Sequence, residues 1–181
     1  IEVSWTDIPE GTGRMCQMLE DGEADMAIIL TEGVTKKIVE GLPARIVQQY
    51  VGSPLQWGIH VASGSAYTTL EDLQDKRAAI SRFGSGSHLM SYVLAEQQGW
   101  DPEALKFEVV QNLEGAVNAL PAGEADFFLW EHFTTKPLVD SGVFRRIGDC
   151  PTPWPCFVIA VRKEVLEEAS GPVKHALEVI N

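Results

Sequence analysis

A seven-residue phrase occurs twice in this chain, as Leu19-x-x-Gly22-Glu23-Ala24-Asp25 and Leu120-x-x-Gly123-Glu124-Ala125-Asp126, the copies 101 positions apart. Each copy ends an apolar-periodic segment at a Gly, the residue favoured where a helix stops, and then enters an unbroken apolar run. The runs are Met26–Leu30 and residues 127–130, and they close on the polar clusters Thr31-Glu32-Gly33 and Trp130-Glu131-His132. A helix, a Gly stop, a buried strand and a polar strand end make half of a βαβ unit. Two copies in similar context predict two similar Rossmann-like α/β lobes with a cleft between them.

The 181 residues, 45% hydrophobic and 22% charged, have room for one large domain or two small ones. A net charge of −12 speaks against nucleic acid and against an anionic membrane surface, since both are gripped by Lys/Arg clusters. No apolar run approaches the roughly 18 residues that span a bilayer. Three cysteines are an odd count and define no disulfide framework. Cys150 and Cys156 flank a Pro-rich turn, and the sequence leaves their pairing open; three plain, mostly buried thiols are the expectation. No Cys-x-x-Cys or His-x-x-x-His spacing appears, so neither a metal nor a cofactor is expected.

Residues 1–6 alternate apolar and polar and predict a strand. Residues 9–13 break it and cap a helix with Met15, Met18 and Leu19 on one face. After Met26–Leu30, expected as a buried parallel strand, come a short helix near 34–40 and a strand at 46–51. The second half begins afresh with a helical turn at 71–74, a strand at 77–81, a Gly/Ser loop at 83–87 and a helix at 88–98. A strand at 107–110, a helix at 113–122, a strand at 127–130, a helix at 134–140 and a strand at 143–147 complete it. This alternation predicts mainly parallel sheets.

Two apolar extended runs, Gln56–Ala62 and residues 156–161, flank that block and read as two strands crossing between the lobes. The first lobe is then residues 1–62 with 154–181, and the second is 63–153. Residues 165–181 read as helices interrupted by Gly171-Pro172 and packed on the first lobe. The second lobe has a strand and helix before its 107–110 strand, where the first has nothing before residue 1. Duplication therefore predicts a strand-plus-helix unit of roughly 20–30 residues missing from the amino end. A signal peptide would lie in that part, so its absence from these residues carries no meaning.

Ser81-Arg82-Phe83-Gly84-Ser85-Gly86-Ser87-His88 is the strongest local signal, placed at the carboxyl end of a predicted strand and the start of a helix. There glycines let a ligand approach the backbone, and free N–H groups with the hydroxyls of Ser85 and Ser87 donate hydrogen bonds. A plain turn with Ser87 as N-cap is the structural alternative. The Lys-Ser/Thr ending of a P-loop and the third Gly of a dinucleotide fingerprint are both missing. The loop thus reads as a small-ligand cradle of Ser85, Gly86, Ser87 and His88. Thr12 and Gly13 are its counterpart in the first lobe, with a simple cap by Thr12 as the alternative. Thr31, Glu32, Trp130 and Glu131 stand at strand carboxyl ends, where open α/β sheets bind ligands.

Trp130 and Trp154 can stack on a planar ligand and offer an N–H to its edge; Trp154, between Pro153 and Pro155, equally suits a packing anchor of the hinge. Trp5, Trp57 and Trp100 fall to core or surface by default, Trp57 being the exception to watch because it starts a crossing run. No catalytic residues emerge. His60, His88, His132 and His175 have no acid or nucleophile partner in sequence, and no Gly-x-Ser-x-Gly elbow occurs.

With these residues in place, the chain resembles the type 2 periplasmic-binding-protein fold, and within it the solute-binding proteins of the nitrate, sulfonate, taurine and thiamine-precursor import group. Gly11-Thr12-Gly13, Gly22-Glu23-Ala24-Asp25, Thr31-Glu32-Gly33, Leu70 to Lys76, Gly84 to Ser87 and Gly123-Glu124-Ala125-Asp126 carry the likeness. The resemblance implies a monomer whose two lobes close over one small polar ligand and present it to an ABC permease. Carried over by position, Thr12, Thr31, Ser85 to His88 and Trp130-Glu131 line the cleft. It also implies a periplasmic or lipid-anchored extracytoplasmic location, a cytoplasmic copy remaining compatible with the letters. Glu32 and Glu131 would repel an anion, which favours an aminopyrimidine-like ligand stacked on Trp130 over a sulfonate-like one. The same fold serves enzymes. Pyrimidine-precursor synthesis uses a Cys-rich iron motif that Cys150 and Cys156 do not reproduce, and menaquinone-pathway dehydratases stay open. An effector-sensing domain of a regulator would need a helix-turn-helix, which these residues lack.

Overall fold

Gly22 and Gly123 stand in the left-handed region, at φ 76° and 72°, and each stops a helix. The Gly22 N–H returns to the Met18 carbonyl, and that of Gly123 to Ala119 and Leu120. In the computed structural model, which describes residues 3–180, the first elements are α1 (Thr12–Asp21), β1 (Met26–Leu30), α2 (Thr31–Val39), β2 (Ala44–Val51) and β3 (Gln56–Ala62). Next come β4 (Arg77–Ile80), α3 (Gly86–Gln98), β5 (Lys106–Val109), α4 (Leu113–Ala122), β6 (Phe127–Glu131), α5 (His132–Asp140) and β7 (Phe144–Pro151). Strand β8 (Phe157–Arg162) and helices α6 (Lys163–Glu168) and α7 (Ser170–Ile180) follow.

The repeat is kept element by element. Helices α1 and α4, strands β1 and β6, and helices α2 and α5 begin 101 positions apart and end 101 positions apart. Leu19 and Leu120 are both buried beneath their helices. The repeated phrase thus encodes a helix end and a strand entry. Asp126 secures that entry by accepting from Tyr67 Oη at 2.9 Å and from the Arg77 N–H at 2.8 Å.

Two compact units result: Ile1–Pro54 with Pro153–Asn181, and Leu55–Thr152. The first holds a three-stranded sheet in the order β1-β8-β2, and the second a five-stranded sheet in the order β5-β4-β6-β3-β7. The α/β two-sheet architecture is the one expected, but parallel pairing is confined to β5-β4-β6. Crossover helices deliver parallel neighbours, yet β8 inserts antiparallel between β1 and β2, and β3 likewise between β6 and β7. The runs expected to cross between lobes are therefore the central strands of the two antiparallel triplets. Their apolar character follows from burial between two neighbours: Ile59, His60 and Val61 in β3, and Ile159, Ala160 and Val161 in β8, are fully buried. The pairing of β3 with β6 and β7 corrects the boundary expected after residue 62, since β3 belongs with the second unit.

Two further expectations change. Of the strand expected at 1–6, Ile1 and Glu2 lie outside the described residues, and Val3 to Thr6 form no strand. Val3 and Trp5 are 69% and 67% exposed, because alternation supplies an apolar face but no neighbour to pair with. The carboxyl-terminal helices part at Ala169, and Gly171 and Pro172 lie in the first turn of α7, where a Pro needs no N–H partner.

Candidate functional site

In the first unit, α1 and α2 start against one another. Thr12 opens α1 behind Gly11, and its methyl group lies over Gly33 in the first turn of α2. A Cβ on Gly33 would stand 2.3 Å from Thr12 Cγ2, so the two helix starts approach this closely only with Gly there. Thr31 donates its hydroxyl to the Pro155 carbonyl at 2.5 Å and its N–H to Cys156 O at 3.1 Å. The Trp154 indole N–H donates to Glu32 Oε2 at 3.0 Å. Thr12, Thr31, Glu32 and Trp154 are thereby gathered at the start of α2, while Gly13 is exposed on α1. First-turn N–H groups of a helix have no partner within it, so this rim carries donors and a partial positive charge.

In the second unit, the Gly/Ser loop leads from β4 into α3. Ser85, not Ser87, is the N-cap, accepting the His88 N–H at 3.3 Å. Ser87 Oγ accepts the Ser81 N–H at 3.0 Å and lies 3.1 Å from Ser85 Oγ. Both hydroxyls are buried, so they hold the loop and are not offered outward. The backbone N–H groups of Gly86 and Ser87 have no partner among the described residues, Ser87 itself being buried. His88 is also turned to structure: its Nδ1 accepts the Gly84 N–H at 3.0 Å, and its ring sits among Phe83, Tyr92 and Phe107 with centroids 5.2, 5.2 and 4.7 Å away.

At the carboxyl end of β6, Trp130 stacks on Phe128 at 5.1 Å and meets Trp57 edge-on at 6.4 Å. Glu131 caps α5. It accepts from the Phe133 N–H at 2.9 Å, the Thr134 N–H at 2.8 Å and the Thr134 hydroxyl at 2.7 Å. Burial opposes its ionisation, but these hydrogen bonds outweigh burial and hold the carboxyl below the usual range. The similarity between Glu32 and Glu131 is a frame shift. At the 101-residue offset Glu131 matches Leu30, the N-cap of α2, and Glu32 matches Phe133. Glu131 is thus a capping residue whose carboxylate is engaged by its own helix.

Three groups escaped the sequence reading. Trp57, 7% exposed, lies against Gly86 at the start of α3, and only its position at the head of an apolar run drew notice. His132 does have an acid partner: its Nδ1 is 2.9 Å from Asp149 Oδ1, with the Arg146 guanidinium against the same ring. Pairing of β3 with both β6 and β7 brings these residues near one another, and nothing in their spacing announces it. His60 is fully buried, 2.8 Å from Thr135 Oγ1 and 3.2 Å from Phe128 O, and burial pulls its pKa down to about 4. Cys16, Cys150 and Cys156 are free and buried, and burial pushes the Cys150 thiol up to about 12, far from a nucleophile. Among the described residues, no three His, Cys, Asp or Glu side chains gather as metal ligands.

Two α/β units with helix starts at strand ends have the form of a type 2 periplasmic binding protein. A family model described as Ca3427-like PBP matches residues 57–150, and the chain belongs to that family. The Candida albicans CA3427 gene product, with the generic periplasmic-binding-protein fold, is 32% identical with a TM-score of 0.81, over 98% of this chain and 59% of that one. The periplasmic aliphatic sulphonate binding protein SsuA of Escherichia coli shares the fold at TM-score 0.81 and 18% identity, over 98% and 60%. The alkanesulfonate-binding protein SsuA of Xanthomonas axonopodis pv. citri, bound to MOPS, does so at TM-score 0.76 and 18% identity, over 98% and 61%. This chain spans about three fifths of the length of each. No curated protein matches it. No described helix is long and apolar enough to cross a membrane.

Proposed function

We propose that the protein is a solute-binding protein that closes its two units over a small polar organic ligand and delivers it to an ABC-type importer. The reading implies an extracytoplasmic location, periplasmic or lipid-anchored, a monomer in solution, and a permease as partner. Its ligand contacts are Thr12, Gly13, Thr31, Glu32 and Trp154 in the first unit, and the backbone of Gly86 and Ser87 with Trp130 in the second. The observation that carries it is the first turn of α3, where the Ser85 and Ser87 hydroxyls bond to one another and to the loop while the Gly86 and Ser87 N–H groups have no partner among the described residues.

Donors call for an acceptor. The aminopyrimidine-like ligand rested on two free carboxylates, and Glu131 is engaged in capping α5. A ligand with an oxyanion head group, sulfonate-like, fits the second unit better, in keeping with the sulphonate-binding and alkanesulfonate-binding proteins that share the fold. An enzymatic reading would begin at His132 and Asp149, but no hydroxyl or thiol hydrogen-bonds the His132 ring among the described residues. Calorimetry of the full-length protein against alkanesulfonates and aminopyrimidines tests the reading. Saturable sulfonate binding without turnover is expected; binding of aminopyrimidines alone, or chemical conversion of the bound compound, contradicts it.

A further inference from the structure

The indole N–H of Trp57 is buried without a hydrogen-bond partner, on a side chain belonging to a residue 7% exposed. An indole can only donate, and a desolvated donor without an acceptor destabilises the state that holds it. The ring's orientation says where the acceptor belongs. A Cβ on Gly86 would stand 2.7 Å from Trp57 Cη2 and 3.0 Å from Cζ2, but 3.9 Å from Cζ3. The benzo edge of the ring, Cη2 and Cζ2, therefore meets Gly86, and Nε1 lies two bonds from Cζ2. Gly86 and Ser87 open the thirteen-residue helix α3, and their N–H groups have no partner among the described residues. The side chain that carries the unmatched indole donor thus packs on the residue that opens α3, next to two unmatched backbone donors at the positive end of a helix dipole.

Resting on the solute-binding reading above, we propose that Trp57 is a specificity-determining residue, donating its N–H to an oxyanion seated on the first turn of α3. The head group must accept several hydrogen bonds at once, as a sulfonate or a carboxylate does. Trp130, half-buried and edge-on to Trp57 at 6.4 Å, is the ring that turns aside to admit it. Gly86 is required because any side chain there would meet the indole.

The test is calorimetry of the full-length protein and its Trp57→Phe variant, with butanesulfonate and butanoate as probes. Phe keeps the ring and removes the donor. The wild type is expected to bind at least one probe, and the variant to bind it more weakly by on the order of tenfold. The melting temperature of the ligand-free variant should hold or rise, since an unsatisfied donor is gone. A variant that binds as tightly as the wild type overturns the role of Trp57 and leaves solute binding standing. A wild type that binds neither probe overturns both the oxyanion and Trp57. Should the variant fail to fold, wild-type protein carrying 15N-tryptophan decides. A solvent-protected indole N–H moving downfield with bound probe supports the proposal, and no such movement at saturation overturns it.

Discussion

His60 lies between the Phe128 carbonyl and the Thr135 hydroxyl, and this enclosure sets how the fold responds to acid. In the neutral ring Nδ1–H donates to Phe128 O and Nε2 accepts from Thr135, a pattern that protonation of Nε2 breaks. The unfolded chain takes up this proton near the ordinary value of 6.5 and the folded protein only near about 4. A base whose folded pKa is depressed leaves stability intact above the unfolded value and erodes it as pH falls towards the folded one. The loss across that window is ~3 kcal/mol. Urea unfolding at pH values on either side should show a steeper loss for the wild type than for His60→Gln; parallel losses contradict the assignment. Glu131 gives a second expectation: Glu131→Ala removes three hydrogen bonds at the start of α5 and should lower stability by ~1 kcal/mol in thermal unfolding. No change would remove the capping role. The inward turn of Ser85 and Ser87 was illegible in the letters, because a hydroxyl that caps and one that binds a ligand are written alike.

Among the helices and strands, the repeated glycines carry the clearest prediction. Gly22→Ala and Gly123→Ala each force a Cβ into the left-handed region at a helix end and should cost about 1 kcal/mol by urea unfolding. Neutral substitutions at both would mean that the helix ends do not depend on glycine. These stops, with the apolar runs that follow them, made α1, β1, α4 and β6 readable to within a residue or two. Pairing partners were not readable. An apolar run reports burial on both sides but not which strands do the burying, so the letters do not tell that β3 and β8 are sheet centres. The same limit hid the meeting of His132 with Asp149 and of Trp57 with Gly86, each a contact between segments far apart in the chain.

The order of segments divides the two units unequally. Every strand of the five-stranded sheet comes from the continuous stretch Leu55–Thr152, whereas the three-stranded sheet needs β8 from beyond residue 153 between β1 and β2. A fragment of residues 55–152 is therefore expected to fold alone with cooperative thermal unfolding. A fragment ending at residue 152 should keep that unit folded and lose the other, which lacks its central strand. Circular dichroism and proton NMR of both fragments check this; a folded first unit without β8 would contradict the topology. The duplicated α/β plan was legible from the repeat, while the insertion of β8 between β1 and β2 was not.

Hydrogen exchange of the full-length protein with and without a saturating alkanesulfonate reads the binding rims directly. Slowed exchange is expected at the Gly86 and Ser87 amides and at the start of α2. Unchanged exchange there, or protection confined to other parts of the chain, would contradict a solute held on these helix starts.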